Sequence, residues 1–176
     1  YKSLDLIRSL IKIQCEVKTI LTKGGAEFVT PLSIASLSKN KVYSDMYSVE
    51  NESEMDHISL SRWADLILIA PATSNIIAKM SQGISDDLAT TVVQASNKCI
   101  FVCPAMNVRM WEHVSNKQNL EKIKSYNYRI IGPFNGEMAC GEYGDGRMAD
   151  IKYILNELDN FFKSKSNNKK FRAVVT

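Results

Sequence analysis

Residues 64–70, with the sequence ADLILIA, form an uninterrupted, mainly aliphatic run that ends at Pro71. A second run, CIFVC at residues 99–103, ends at Pro104. Short continuous apolar runs, each closed by a proline, predict strands that are buried on both faces. Such strands are typical of a parallel sheet that is covered by helices on both sides.

Helical patterns flank these two runs along the chain. The spacing of apolar residues predicts helices at 4–11, 75–81, 86–95, 116–124 and 151–162, short strands at 17–21 and 129–131, and a glycine-rich loop at 132–146. Alternating strands and helices predict an α/β fold. We expect a three-layer Rossmann-like, or flavodoxin-like, parallel sheet with helices on both faces.

Length and the two ends define the expected domain organisation. The chain has 176 residues, 45% of them hydrophobic, which is enough for one core. We assign that core to residues 1–162, a basic polar linker to 163–170, and the first strand of a following domain to 171–176. Because doubly wound folds begin with a strand and the first helix here starts at Tyr1, we also expect that an opening strand is missing.

Positive charge is concentrated near the carboxyl end. The formal net charge is +3, from 22 Lys and Arg against 19 Asp and Glu. Five of the basic residues fall within ten positions: Lys163, Lys165, Lys169, Lys170 and Arg172. The rest of the chain is slightly acidic, so the basic excess belongs to a tail, and we predict no nucleic-acid partner.

Cysteine usage and hydropathy exclude two further classes of protein. The four cysteines form no CxxC pair and only two histidines accompany them, so no metal site is predicted. No apolar run approaches ~18 residues, and no export signal precedes the first helix. We therefore expect no membrane partner, reduced thiols and a cytoplasmic location.

The loops that follow the predicted strands are the first candidates for a binding site. Open parallel sheets bind ligands at the carboxyl ends of their strands. Thr22 follows the first strand, PATSN (71–75) the second and PAMN (104–107) the third. Small hydroxyl and amide side chains beside helix N-termini suit a phosphate or a polar heterocycle, although each loop alone can equally be a helix cap. We expect the three loops to converge.

Longer motifs in these segments carry a family resemblance. PAMNVRMW (104–111) matches a P-x-M-N-x-x-M-W signature, His57 precedes Trp63-Ala64-Asp65, and ACGE (139–142) lies in a glycine-rich loop. Together they resemble the flavin-containing cysteine decarboxylases, and most closely the phosphopantothenoylcysteine decarboxylases among them. The resemblance extends over essentially the whole chain.

The resemblance implies a reaction, a cofactor and partners. The reaction is oxidative decarboxylation of 4′-phospho-N-pantothenoylcysteine to 4′-phosphopantetheine and CO2, in coenzyme A biosynthesis, with FMN as cofactor. Oxidation of the substrate CH2–SH to a thioaldehyde makes the sulfur an electron sink for the carbanion that loss of CO2 leaves. The resemblance further implies a homo-oligomer, a trimer or a multiple of trimers, with the active site between subunits. It also implies a ligase domain after residue 176.

The motifs imply roles for two reactive side chains. His57 is the expected base that accepts the substrate thiol proton, since imidazole titrates near neutral pH. Cys140 is the expected acid that protonates the enethiol carbon, because a thiol still holds its proton at neutral pH. A lone histidine or cysteine is more often structural, and that remains our reading of His113, Cys15, Cys99 and Cys103.

The remaining site residues follow from the same matches. Asn107 is expected to hold the substrate carboxylate or amide, and Arg147 is assigned to the substrate phosphate from its charge and location alone. The other expected substrate contacts are Met110, Ala139 and Gly141. The expected flavin contacts are Thr22, Phe28, Pro71, Ala72, Thr73, Ser74, Asn75 and Ala105. Two alternatives stay open: a peptidyl-cysteine decarboxylase and a non-catalytic flavin-binding regulatory protein of the same fold.

Overall fold

The computed structural model describes residues 1–46, 55–163 and 171–176. Its helices are α1 (Lys2–Lys12), α2 (Lys23–Ala26), α3 (Pro31–Ser38), α4 (Asp56–Trp63), α5 (Ser74–Gln82), α6 (Leu88–Gln94), α7 (Val108–Glu112), α8 (Val114–Ser125) and α9 (Ile151–Lys163). Its strands are β1 (Glu16–Ile20), β2 (Val42–Tyr43), β3 (Leu66–Ala72), β4 (Cys99–Pro104), β5 (Arg129–Ile130), β6 (Phe134–Glu137), β7 (Tyr143–Arg147) and β8 (Arg172–Val175). None of these helices is both long and apolar enough to cross a bilayer.

Six strands form one sheet in the order β2-β1-β8-β3-β4-β5, and every pairing within it is parallel. The two aliphatic runs lie side by side as β3 and β4, with Leu66 opposite Cys99 and Ile69 opposite Val102. All residues from Leu66 to Ala70 are fully buried, as the unbroken run predicts. Burying each large aliphatic side chain contributes on the order of 1.5–3 kcal/mol, so this pair of strands is the centre of the core.

Helices cover both faces of the sheet. Leu6 of α1, Ile34 of α3 and Leu158 of α9 pack in the core on one face. On the other face, α4, α5, α6 and α8 pack in a second core; their buried residues include Leu60, Ile77, Val92 and Leu120. The predicted three-layer α/β fold is therefore confirmed. The short helices α2, α3, α4 and α7 were not predicted, because helices of four to eight residues are too short for a clear apolar period.

Strand β8 occupies an unexpected position. The sequence predicts a strand at 171–176, and one is present, but it lies between β1 and β3 rather than apart from them. Ala173, Val174 and Val175 are fully buried there, because both faces of the sheet are covered by helices. In a doubly wound sheet this central position usually belongs to the strand ahead of the first helix.

The proposed division of the chain stays a prediction. Lys163, the first residue of the expected linker, is the last residue of α9. Residues 164–170, which make up the rest of the linker, lie outside the described residues. Assignment of 171–176 to a following domain likewise stays an expectation. In the structure, β8 pairs with β1 and β3 of this sheet.

The predicted loop at 132–146 is wrong in part, because it contains a β-hairpin. Strands β6 and β7 pair antiparallel as a separate two-stranded sheet. Their sequences, FNGE and YGDGR, have no aliphatic alternation, so the usual strand signal is absent. The glycines that favoured a loop instead adopt positive φ within the strands, at Gly136, Gly144 and Gly146.

Candidate active site

Three strands of the sheet are followed, at their carboxyl ends, by a side chain that caps the next helix. Thr22 follows β1 and accepts an N–H of α2 at 3.2 Å. Thr73 follows β3 and accepts an N–H of α5 at 3.3 Å. Asn107 follows β4 and its Oδ1 accepts an N–H of α7 at 2.8 Å. The structural reading of these residues as caps is thus correct for all three.

Each capping side chain also carries a hydrogen-bond donor that the cap does not use. A hydroxyl that accepts through its oxygen still carries O–H, and a carboxamide that accepts through Oδ1 still carries NH2. Among the residues that the structure describes, these donors of Thr22, Thr73 and Asn107 have no protein acceptor. Three unused donors along one edge of a sheet are suited to an acceptor-rich ligand, such as a phosphate, a carboxylate or a flavin carbonyl.

The loops after β3 and β4 are joined directly. The Ala105 N–H donates to the Ala72 carbonyl at 2.9 Å, which sets the PATSN and PAMN segments side by side. The loop after β1 lies farther away, because β8 separates β1 from β3. Two strand spacings amount to about 10 Å, which is a span that a planar cofactor with a phosphate arm can bridge. The expected convergence holds for the two neighbouring loops, and the Thr22 loop flanks them.

Most of the other expected flavin contacts form an open shelf along this edge, although Ala72 is fully buried. Pro71, Thr73 and Asn75 are exposed, and the Phe28 ring is 86% exposed. Beside Thr22, a Cβ added to Gly24 would meet no atom within 4 Å. Ser74 is half-buried in the first turn of α5. Free space, an uncovered aromatic ring and unused donors fit a flavin, so these residues would hold it.

The β6–β7 hairpin is attached to the signature loop through backbone atoms. The Met106 N–H donates to the Gly146 carbonyl at 3.0 Å. A Cβ added to Gly146 would lie 2.2 Å from the Met106 carbonyl oxygen, and one added to Gly144 would lie 2.9 Å from Val108 Cγ2. Only glycine at these two positions allows β7 to approach the loop so closely. The hairpin is therefore fixed beside Asn107.

Cys140 lies at the tip of this hairpin. The turn is closed by hydrogen bonds between Met138 and Glu142 and from the Gly141 N–H to the Met138 carbonyl, both 2.9 Å. Gly141 has φ of +81° there, a conformation that favours glycine. Ala139, Cys140 and Gly141 are all exposed. An exposed thiol on a tight turn is accessible to a substrate, whereas the thiol of Cys103 in β4 is fully buried.

Burial also changes the acidity of the cysteine thiols. Burial raises the pKa of the Cys103 thiol to about 12, and it does the same for Cys15. Neither thiol can form an appreciable amount of thiolate at neutral pH. The structural interpretation of these two cysteines is thus supported by their surroundings.

Arg147, at the end of β7, is already engaged by a carboxylate. Its Nη1 lies 3.1 Å from Asp150 Oδ1, and its Nη2 lies 3.5 Å from Oδ2. Its Nε is buried and has no partner within the described part of the chain. A substrate phosphate would have to compete with Asp150, so the structure offers a weaker case for Arg147 than the sequence does.

His57 lies in the first turn of α4, which was not predicted as a helix. Since α4 ends at Trp63, just before β3 begins, the helix runs back along the sheet and carries His57 towards the carboxyl edge. Its Nδ1 is buried with no hydrogen-bond partner among residues 1–46, 55–163 and 171–176. A buried nitrogen of this kind costs free energy until a partner arrives, as is typical of a ligand-binding group.

Met110, Gly144 and Gly146 are the remaining residues whose positions bear on the expectations from the sequence. Met110 of α7 is 45% exposed and available as a substrate contact. Gly144 and Gly146 lie in the glycine-rich loop predicted at 132–146, and neither was assigned a role from the sequence. Their G-x-G spacing, which puts both glycines on one face of a strand, is the signal that indicates a close backbone approach.

Comparison with known sequences identifies relatives along the whole chain. A sequence model of the family described as Flavoprotein matches residues 1–163. The "Coenzyme A biosynthesis bifunctional protein CoaBC" of Haemophilus influenzae is 39% identical over 176 residues, which cover 100% of this chain and 44% of that protein. The protein of the same name from Bacillus subtilis is 36% identical over 167 residues, 95% of this chain and 41% of that protein. The chain thus spans less than half the length of these curated relatives.

Solved structures agree with the observed fold. A mutant of PPC decarboxylase complexed with pantothenoylaminoethenethiol superposes with a TM-score of 0.74 at 27% identity, covering 90% of this chain and 93% of that one. The FMN binding protein AtHal3 superposes with a TM-score of 0.72 at 29% identity, covering 92% and 94%. Both similarities extend over about nine-tenths of this chain.

Proposed function

This chain belongs to the Flavoprotein family, and on that premise we propose that it catalyses the FMN-dependent decarboxylation of 4′-phospho-N-pantothenoylcysteine to 4′-phosphopantetheine in coenzyme A biosynthesis. The observation that carries the proposal is the backbone attachment of the Cys140 hairpin to the loop of Asn107, through Met106 and Gly146. It links the hairpin of the proposed proton donor to the loop of the proposed carboxylate-binding amide.

FMN is the cofactor that the shelf at the carboxyl edge supports. The unused hydroxyl donors of Thr22 and Thr73 would hold its polar groups, with Phe28, Asn75 and Ala105 around the ring system. Bound FMN supplies reversible two-electron chemistry, which no amino-acid side chain in this site can supply.

His57 and Asn107 act on the substrate before CO2 leaves. The imidazole of His57 accepts the proton of the substrate thiol, and its unpartnered Nδ1 gains a hydrogen bond in the process. The free Nδ2 of Asn107 donates to the substrate carboxylate and fixes its orientation. A fixed orientation matters because the bond to CO2 must align with the neighbouring electron sink.

Cys140 acts after CO2 has left. Its exposed Sγ–H donates a proton to the enethiol carbon; the saturated thiol additionally requires the two electrons that bound FMN would return. Backbone hydrogen bonds hold the turn that carries Cys140, so they position the thiol although it is not packed in a core. Met110, Ala139 and Gly141 are exposed and would contact the pantothenoyl portion.

The wider assembly is proposed on the same basis. Large apolar side chains remain exposed on this chain: Phe28, Leu32, Val114 and Tyr143 are 86%, 79%, 64% and 75% exposed. Exposed apolar side chains of this kind are available to an oligomer interface, and the trimer, or multiple of trimers, is proposed from the family resemblance. The longer relatives, each described as a bifunctional protein, support a ligase domain joined to this one.

One experiment tests both binding and chemistry. The purified protein is titrated with FMN and then given 4′-phospho-N-pantothenoylcysteine, and CO2 and 4′-phosphopantetheine are measured. We expect saturable flavin binding and both products. A peptide that ends in cysteine is the competing substrate. Turnover of the peptide alone would support the peptidyl-cysteine decarboxylase, and flavin binding without turnover of either would support the regulatory protein.

A matched pair of histidine variants tests the base. His57→Asn is expected to retain FMN binding but to lose flavin reduction by substrate. His113→Asn is the control, because His113 is exposed and caps α8 through Nδ1, a role that an asparagine amide can take. Flavin reduction at a normal rate in His57→Asn would reject His57 as the base.

A further inference from the structure

A carboxylate lies next to the Cys140 thiol at the hairpin tip. Cys140 Sγ donates a hydrogen bond to Glu142 Oε2, with a separation of 3.8 Å. Both side chains are exposed, and the backbone hydrogen bonds of the turn hold the two residues at a fixed spacing. Glu142 is not among the site residues expected from the sequence.

The chemistry of the proposed reaction requires a proton supply at this position. Loss of CO2 from a carboxylate leaves an electron pair on carbon, and that carbon must then be protonated. Each turnover therefore consumes one proton from water. Cys140 gives its S–H proton to the carbon and is left as a thiolate, so it must recover a proton before the next turnover.

We propose that Glu142 is the residue that delivers this proton to Cys140, and that it also orients the S–H bond between turnovers. The inference rests on the proposed function. The exposed carboxylate takes a proton from water and forms an O–H bond. That bond then breaks as the proton passes to Sγ, so the thiol is restored and the carboxylate is regenerated.

Other charged groups near the tip are committed elsewhere or have no contact with the thiol. On the hairpin, Asp145 accepts a hydrogen bond from Asn135 at 3.0 Å. Arg147 is paired with Asp150, and on the neighbouring helix α7, Arg109 is paired with Glu112. Glu137 and Tyr143 end the two strands, and neither is hydrogen-bonded to Sγ in the described part of the chain. Glu142 alone among these groups contacts the thiol.

The test compares Glu142→Gln with Glu137→Gln in the FMN-loaded protein. Glutamine at 142 can still accept the S–H hydrogen bond but carries no exchangeable acid proton. Glu137 is an exposed residue of the same hairpin, so its replacement makes the same change in charge without touching the thiol. Steady-state kcat and KM, the pH profile of kcat, and the ratio of enethiol to saturated product by mass spectrometry are measured.

We expect Glu142→Gln to lower kcat by about 10- to 100-fold, with KM within about twofold of wild type, and to release enethiol. Its kcat should fall as pH rises and should recover with increasing concentration of a small carboxylic acid such as acetic acid, which replaces the missing donor. Glu142→Asp should recover part of the rate, and Glu137→Gln should behave as wild type.

Three other outcomes overturn the inference in distinguishable ways. If wild-type protein turns over substrate and Glu142→Gln matches Glu137→Gln in all measurements, Glu142 supplies no proton. A raised KM with unchanged kcat would equally reject the role, since it would make Glu142 a substrate contact. Absence of turnover in the wild-type protein would overturn the proposed function itself, and this inference with it.

Discussion

Asp65 and Arg172, which are 107 positions apart, are joined through both backbone and side chain. The Asp65 N–H donates to the Arg172 carbonyl at 2.8 Å, and the Arg172 N–H donates to Asp65 Oδ2 at 3.0 Å. The guanidinium adds contacts to Oδ2 from Nε at 3.3 Å and to Oδ1 from Nη2 at 3.2 Å. This pair fixes the start of β8 against the start of β3, and so sets the register of the central strand.

Replacing Asp65 by asparagine should therefore destabilise the sheet. Asparagine keeps one acceptor but loses the charge that the guanidinium contacts, and the side chains are about one-third to two-fifths exposed. We expect a loss of about 1–2 kcal/mol in the free energy of unfolding, measured by urea denaturation. Asp5→Asn, which removes the exposed pair of Asp5 and Arg8, should cost clearly less. Equal losses in the two variants would contradict the special role of the Asp65 contacts.

Gly146→Ala should separate the hairpin from the signature loop. The new Cβ would meet the Met106 carbonyl oxygen at 2.2 Å, so β7 must move away and take Cys140 with it. We expect kcat to fall by about 100-fold, since a shift of about 1 Å in a reacting group has an effect of that size. Far-UV circular dichroism should be unchanged, because the hairpin lies outside the six-stranded sheet.

The control for Gly146→Ala is Asn135→Ala, a change to an exposed residue of the same hairpin. That variant should keep nearly normal activity. Normal activity in Gly146→Ala as well would mean that the hairpin reaches its working position without the backbone contact.

Cys140→Ser should still release CO2 but stall before the saturated product. A hydroxyl is a far weaker acid than a thiol, so protonation of the enethiol carbon slows while the earlier steps continue. Mass spectrometry of the products should detect enethiol in place of 4′-phosphopantetheine. A normal yield of 4′-phosphopantetheine at a normal rate would exclude Cys140 as the acid.

Thiol labelling should distinguish the cysteines by their surroundings. Alkylation requires the thiolate, and burial raises the pKa of both Cys15 and Cys103 to about 12. A raised thiol pKa means that the thiolate fraction at pH 8 is very small and grows only as the pH approaches 12. We expect iodoacetamide at pH 8 to modify Cys140 within minutes and to reach Cys15 and Cys103 only in urea, as mapped by peptide mass spectrometry. Rapid labelling of Cys103 in the native protein would contradict its burial.

The sequence was sufficient for the layers of the fold because burial leaves a direct trace in composition. The runs at 64–70 and 99–103 are aliphatic since both of their faces are covered, and the structure confirms them as β3 and β4. The caps at Thr22, Thr73 and Asn107 were recognisable because small polar side chains suit helix N-termini.

The hairpin and the location of β8 could not be read in the same way. Strands β6 and β7 are stabilised by contact with another loop, so their own sequence lacks a hydrophobic period. The residues of β8 were correctly predicted to form a strand, but pairing between positions 65 and 172 is a long-range property that no local pattern encodes. The contact between Cys140 and Glu142 likewise depends on the conformation of the hairpin loop.

The attachment of the hairpin through Met106, Val108 and the two glycines has a consequence for protein engineering. Because the contact runs through the main chain of Met106 and Gly146 and the missing Cβ atoms of two glycines, it does not depend on the side chains at the hairpin tip. Phe134, in contrast, packs edge-on against Tyr153 and has to be kept. A chimera that retains Phe134 and the G-x-G spacing can therefore exchange the tip with that of a relative, and its substrate preference would show what the tip contributes to selectivity.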